Sequence, residues 1–325
     1  MTQLPFISII IPAYNRAKML GITIKSFIEQ DYPKDKYEII VSDNNSTDNT
    51  KDIVSDWQTR SDVKIKYIFE KRQGVHYARN TAAKHSVGDI LYYTDDDMIA
   101  DRKLLSEIIR PFLVDSAVGC VTGRVLPEWE VPPPEWILKY CYNGWLSLND
   151  QGEELRITDY DLGVWSCHQA IRRDVFFGSG GFNPENTAGE WIGDGETGIN
   201  IKIKELGYKF AYNGKSLIYH MIPSVRMTQQ YINKRLANQG NADSYTRYRK
   251  YKYSKLRLYV NMLSYMAGMF VFALKVLFKK ISFNGSWRID RASVSYYKAR
   301  IKYDHRLIED GKWREIVLRS DWLSE

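Results

Sequence analysis

Cysteine is scarce in this 325-residue chain: Cys120, Cys141 and Cys167 are the three present. They have no metal-type spacing, and an odd number cannot all pair, so neither a disulfide framework nor a zinc ribbon is available. A reduced, cytoplasmic setting is the expectation. No secretory leader is expected, because Met1–Pro5 carries no basic residue and the apolar run Phe6–Ile11 is too short. There is no Gly-x-x-x-x-Gly-Lys-Ser/Thr run, which argues against a P-loop NTPase. No internal repeat is present. The uncharged run Leu258–Leu274 stops at 17 residues and includes Asn261 and Ser264, short of the roughly 20 residues a spanning helix needs.

What is present is a globular composition with an uneven charge. Hydrophobic residues make up 44% of the chain, enough for a real core in one large domain with an appendage, or in two domains. The net charge of +7 hides an asymmetry: residues 226–325 hold 21 Lys+Arg against 8 Asp+Glu, so that segment alone carries +13. Such a split suggests an anionic partner, either a membrane surface or nucleic acid, with a solvated basic helical face as the plain alternative. Tyr245–Lys255 interleaves four tyrosines with Arg247, Arg249, Lys250, Lys252 and Lys255. Basic residues flank Leu258–Leu274 on both sides, which suits a helix lying in an anionic leaflet. Burial in the core, an oligomer contact or a true span are the alternatives.

Strand and helix signals alternate through the first hundred residues. Phe6–Ile11, Glu38–Val41, Val63–Phe69 and Ile90–Thr94 read as buried strands. Between them, helices are predicted around Met19–Ile28, Ile53–Trp57 and Val75–His85, with Asn15 capping the first and Ser46 or Thr47 the second. This βαβαβαβ order implies an α/β fold, with a mostly parallel sheet flanked by helices. From Leu126 to Tyr160 the pattern breaks into an irregular insertion with Trp129, Trp136 and Trp145, which either stack on a ligand or pack on the core as a lid. A strand around Gly163–Ile171 and a helix Glu196–Leu206 follow, and beyond Met221 the chain reads as helical. The divisions expected are a catalytic domain over 1–225 and a basic helical region over 226–325.

The carboxylates of Asp95, Asp96 and Asp97 follow the fourth strand and repel one another unless a cation or donors neutralise them. Asp95 and Asp97 point the same way and can converge on one oxygen-loving divalent ion, Mn²⁺ or Mg²⁺. A solvated acidic turn is the other reading. In parallel sheets, ligands bind at the carboxyl ends of strands, where both Asp43–Asp48 and the aspartate triplet fall.

Pro12-Ala-Tyr-Asn15, Val41-Ser-Asp-Asn-Asn-Ser-Thr-Asp48, Gln73-Gly-Val-His-Tyr-Ala-Arg79-Asn80 and the triplet occur in order. Ala170–Arg173 with Gly180-Gly-Phe182, Gly195-Glu196 with Gly207-Tyr208, and Leu217-Ile-Tyr-His220 follow. Over roughly residues 5–222 this succession resembles the family-2 glycosyltransferases, which implies a Rossmann-like GT-A fold with a helical C-terminal extension. The resemblance implies a nucleotide-sugar site of Pro12, Ala13, Tyr14, Asp43, Arg79, Asp95 and Asp96, with Asp43 on a uracil ring and Arg79 on the diphosphate. It assigns the metal to Asp97, with Asp95 or Asp96 on the ribose or a metal-bound water, and His220 can reach the metal or the diphosphate. The catalytic base is Glu196 or, two residues earlier, Asp194. Trp191 and His168 are the candidates for acceptor contact.

The implied activity is inverting transfer of a sugar from a nucleotide-diphosphate donor, expected to be a UDP-sugar, to a glycan or lipid-linked acceptor. The expected setting is polysaccharide or glycolipid assembly at the inner face of the cell membrane, with peripheral lipid contact and a homo-oligomer possible in principle. Nucleotidyl transfer, or nucleic-acid binding by the basic tail, are the rival readings. No nucleic acid is expected.

Overall fold

Residues 4–141 and 143–324 are described by a computed structural model. The first half is β1 (Ile7–Ala13), α1 (Ala17–Ile28), β2 (Tyr37–Asp43), α2 (Thr50–Arg60), β3 (Lys64–Phe69), α3 (Val75–Lys84) and β4 (Ile90–Thr94). Every residue of β1, β2 and β4 is buried. Alternate side chains of a strand face opposite ways. Ile7, Ile9 and Ile11 of β1 therefore join one core with Leu20, Ile24 and Phe27 of α1. Ile10 joins a second core with Ala82 and Ala83 of α3. Apolar residues on both faces are what a sheet covered by helices on each side demands.

β5 (Met98–Ala100), α4 (Leu104–Ile108), α5 (Arg110–Val114), β6 (Val118–Trp129), α6 (Glu135–Tyr140), β7 (Leu155–Thr158), β8 (His168–Arg172) and α7 (Arg173–Gly178) continue the chain. A small ribbon of β9 (Asn186–Thr187) and β10 (Glu190–Trp191) precedes α8 (Gly195–Glu205) and the long strand β11 (Lys209–Ile222). The main sheet runs β3-β2-β1-β4-β8-β6-β11-β5, with β7 also paired to β11. β3, β2, β1 and β4 are mutually parallel, and so are β6 and β11, whereas β8 runs against both its neighbours. The expected α/β architecture is present. The chain builds outward from β1 to β3 and then returns to place β4 on the other side of β1. That reversal puts the ends of β1 and β4 at the crevice where such sheets bind ligands.

Two caps differ from the sequence expectation. Asn15 adopts a left-handed backbone (φ 53°), and its side chain accepts from Thr47 N at 2.7 Å instead of capping α1. Asp48 serves both helices: one oxygen accepts from Ala17 N (3.1 Å), the other from Thr50 N (3.1 Å). One carboxylate thus ties together the loops after β1 and β2. Asn45 takes the left-handed conformation (φ 67°) that its place in the turn requires. The strand expected around Gly163 begins only at His168, because Asp161 holds Val164 N in a turn. Trp129, Trp136 and Trp145 pack against the main core, so the insertion's tryptophans act as packing.

The C-terminal region consists of α9 (Gln229–Tyr251), α10 (Lys255–Ile281), α11 (Trp287–Glu309) and α12 (Gly311–Leu318). Ile232 and Leu236 of α9 and Ala292 of α11 belong to the same core as β1, so these helices are built onto the sheet.

Candidate active site

A cavity of about 570 Å³ opens at the reversal point, within the range of small-ligand sites. Pro12, Ala13 and Tyr14 from the end of β1 line it, together with Arg79, Asp95, Asp96, Trp191, Glu196 and His220. Arg79 of α3 is buried and ion-pairs with Asp95 at 2.5 Å, so a guanidinium is anchored at the edge of the cavity. Asn44 lines the cavity, while Asp43 sits behind it. Asp43 is buried and accepts from Ser46 N (2.9 Å) and the Tyr67 hydroxyl (2.7 Å). Each of its oxygens keeps a further lone pair.

The aspartate triplet divides into three environments. Asp95 is about a third exposed. Asp96 is buried and bonds Arg16 Nη1 at 3.1 Å. Burial pushes its carboxyl up to about 7, against the pull of Arg16 and with the help of Asp97 and Asp95. Asp97 is buried too, and burial acts to raise it, but His220, Arg226 and Arg16 together hold it well below the usual carboxylate range. Its Oδ2 accepts from Arg16 Nη1 (2.8 Å) and Arg226 Nη2 (2.8 Å), with His220 Nε2 at 3.6 Å. Its Oδ1 is buried and has no hydrogen-bond partner among the described residues. His220 Nδ1 lies 2.8 Å from the Leu146 carbonyl, and Nε2 faces Arg226 and Asp97.

This donor set suits a divalent cation. A carboxylate and a ring nitrogen already converge on the guanidinium of Arg226, which stands where a cation is favoured. The unpartnered Asp97 Oδ1 supplies a further oxygen, the ligand chemistry of Mn²⁺ or Mg²⁺, whereas Asp95 is engaged by Arg79.

The two candidate bases separate clearly. Glu196 lies in the first turn of α8, lines the cavity and accepts from Ser166 Oγ at 3.4 Å. Asp194 is buried away from the cavity, accepting from Asn183 Nδ2 (2.8 Å) and Thr246 Oγ1 (2.7 Å). It ties α8 to α9, and that fixed, enclosed position removes it from reach of an acceptor. His168 is likewise misplaced for acceptor contact. It is fully buried, donates from Nε2 to the Ser216 carbonyl (3.0 Å) and accepts at Nδ1 from the Tyr92 hydroxyl (2.7 Å). Burial pushes its imidazole down to about 4.

The family model for glycosyl transferase family 2 matches residues 8–177, just over half of the chain. The chain belongs to glycosyl transferase family 2. The matched range holds the β1 loop, Arg79 and the triplet, while Glu196 and His220 lie beyond it. Glycosyltransferase AglE of Haloferax volcanii is 43% identical over 124 residues, 38% of this chain and 40% of that protein. Validoxylamine A glucosyltransferase of Streptomyces hygroscopicus subsp. jinggangensis is 27% identical over 236 residues, 66% of this chain and 53% of that protein. The chain thus spans about half the length of these curated relatives, or less. A mannosyltransferase from Pyrobaculum calidifontis, solved with GDP-Man and Mn²⁺, superposes with a TM-score of 0.62 at 20% identity, covering 93% of this chain and 88% of its own. GalNAc-T7, solved with UDP, GalNAc and Mn²⁺, gives 0.52 at 19% identity, covering 67% and 43%. These two likenesses carry the GT-A fold.

Several cavity residues of this family-2 chain carry no sequence signal that singles them out. Arg16 and Arg226 neutralise Asp97 from positions 81 and 129 residues away. His76, Glu185 and Glu196 bring their ligand-type atoms within 4.8 Å of one another. His76 Nε2 also lies 3.3 Å from Arg79 Nη1. Burial first, and then Glu196, push the Glu185 carboxyl up to about 8, against Arg235 and Arg79. Glu185 therefore keeps its proton at neutral pH. Gly195 makes the arrangement possible, because a Cβ there would meet His76 Cε1 at 2.7 Å and its backbone is left-handed (φ 51°).

Proposed function

We propose that this protein transfers a sugar from a nucleotide-diphosphate donor, a UDP-sugar, to the hydroxyl of a glycan or lipid-linked acceptor, with inversion at the anomeric carbon. The observation that supports this most is the arrangement of one cavity at the β1/β4 reversal, with Arg79 and Asp95 on one side and a solvent-reachable Glu196 on another. Nucleotide binding uses the β1 loop Pro12–Tyr14, with Asp43 behind it to accept from the base. Arg79 meets the diphosphate with paired N–H donors. Asp95, Asp97 and His220 would hold Mn²⁺ or Mg²⁺. A bound divalent ion supplies Lewis-acid neutralisation of the leaving diphosphate.

Glu196 takes the proton of the acceptor hydroxyl as that oxygen bonds to the anomeric carbon. The bond from that carbon to the diphosphate oxygen breaks with its electron pair on the nucleoside diphosphate. One displacement inverts the centre. Trp191, beside Glu196 in the cavity, offers a stacking face to an acceptor sugar. The nucleic-acid reading loses its main support, because Tyr245 and Tyr248 of the basic stretch are buried and Arg249 bonds to the carbonyl of Val317.

A panel of UDP- and GDP-sugars, each with and without Mn²⁺, tests the reading by thermal shift and by slow donor hydrolysis. A UDP-sugar should be hydrolysed only with Mn²⁺ or Mg²⁺ present. Hydrolysis of GDP-sugars alone would overturn the donor assignment, and no hydrolysis or shift with any member would overturn the transferase reading.

A further inference from the structure

The helix α10 turns an apolar stripe to the outside along its whole length. Leu256, Leu263, Phe270, Leu277, Phe278 and Ile281 are all exposed, Leu256 by 75% and Ile281 by 67%. At 100° per residue these positions fall within about 100° of arc, so they form one face. Phe283, just past the helix end, is 96% exposed. The stripe runs from Leu256 to Ile281, about 38 Å at 1.5 Å per residue. An exposed apolar surface of this extent on a soluble chain marks an interaction site.

The opposite face of α10 is occupied. Tyr265 receives a bond from Arg300 of α11 at 2.6 Å, Gly268 lies under the Tyr297 ring, and Lys279 pairs with Asp290 at 2.7 Å. Leu258 shares a core with Tyr303 and Leu307. α11 therefore follows α10 from end to end, and it carries Arg291, Lys298, Arg300, Lys302 and Asp304. A membrane-spanning α10 would draw these charges toward hydrocarbon, which strongly disfavours a span. An α10 lying in the interface leaves the exposed Arg291, Lys298 and Lys302 in water.

Charge selects the occupant. Lys255 and Arg257 begin the helix, Lys275, Lys279 and Lys280 end it, and residues 226–325 carry a net +13. A second copy docked on the same face would bring two such regions together, whereas an anionic leaflet complements them. We propose that α10 and Phe283 form an in-plane docking surface for an anionic phospholipid bilayer, with the apolar stripe sunk to the headgroup–acyl boundary. Because α10 packs on α11, α11 on α9, and α9 supplies Tyr231, Arg235 and Asn238 to the cavity, docking also holds the cavity at a set height above the lipid. The proposal does not depend on the donor or on catalysis.

Flotation of the full chain with vesicles tests it, comparing phosphatidylcholine alone with phosphatidylcholine plus phosphatidylglycerol. The protein should float with the anionic vesicles, stay behind with the neutral ones and be released by alkaline carbonate. The triple variant Leu263→Glu/Phe270→Glu/Phe278→Glu should lose flotation at an unchanged melting temperature, since all three side chains are exposed. A single Phe270→Trp variant should be quenched by lipids labelled near the headgroup more than by those labelled at the bilayer centre. Equal flotation of the triple variant, or of the wild type on both vesicle types, overturns the proposal. So does central quenching or resistance to carbonate, which means a span, and so does a wild-type dimer that ignores vesicles and that the triple variant dissociates.

Discussion

Replacing Asp97 with asparagine keeps its shape and removes the charge on which Arg16, Arg226 and His220 converge. Removing one partner of a buried ion pair typically costs about 3–5 kcal/mol. Asp97 is almost fully enclosed, but the Arg16 side chain is 41% exposed and that of Arg226 16%, so both cations recover some hydration. The expected loss is then about 2–3 kcal/mol. At about 2–4 °C per kcal/mol, this is a fall in melting temperature of roughly 4–12 °C without ligand. The carboxyl of Asp97 is depressed in the fold, so its contribution is present above the unfolded carboxylate range and lost as pH falls through the folded value. The gap between variant and wild type should therefore persist from neutral pH down to mild acid. Scanning calorimetry with and without Mn²⁺ plus UDP reads both roles at once. Wild type should gain stability from the pair of ligands, and Asp97→Asn should not. An unchanged ligand-free melting temperature would refute the claim that this charge holds the arginines. A variant that is destabilised yet keeps the full Mn²⁺-dependent gain would refute the metal assignment.

Glu196→Gln should lower kcat by about 10²–10⁴-fold, the usual contribution of a general base, while leaving donor KM near wild type. Asp194→Asn should leave kcat within a few-fold and lower the melting temperature, because it weakens the bonds to Asn183 and Thr246. Glu185 is raised to about 8, so its protonated form fits the fold, and that stability is complete below the unfolded carboxyl value and lost as pH climbs toward 8. Glu185→Gln should flatten this decline, seen as a melting temperature that approaches or passes wild type at pH 8 but not at pH 5. Arg79→Lys, which cannot keep a two-pronged contact, should raise donor KM about tenfold or more in steady-state assays.

Much of the framework was legible because its signals are local. Ile7–Ile11 and Ile90–Thr94 announce buried strands by composition, and Asn45 announces a left-handed turn. The motif order from Pro12 to the triplet marks where the parallel strands end. Helix caps were harder to assign, since Asp48 reaches Ala17 across a neighbouring loop and outcompetes Asn15. His168 shows the limit most plainly: a polar residue near a motif reads as a site residue, yet its two ring nitrogens are taken by Tyr92 and Ser216 within the sheet.

By itself the sequence determined the alternation of strands and helices, the family, and the segments on which Arg79, Asp95 and Glu196 stand. It also showed the basic, apolar tail. Only the tertiary structure decided that Glu196 faces the cavity while Asp194 is enclosed, and that Arg16, His220 and Arg226 meet at Asp97. The same holds for the side of α10 that is left uncovered. Periodicity and turn chemistry act over a few residues, so one chain displays them directly. Convergence of side chains more than a hundred residues apart depends on strand order and helix packing, which no local pattern encodes.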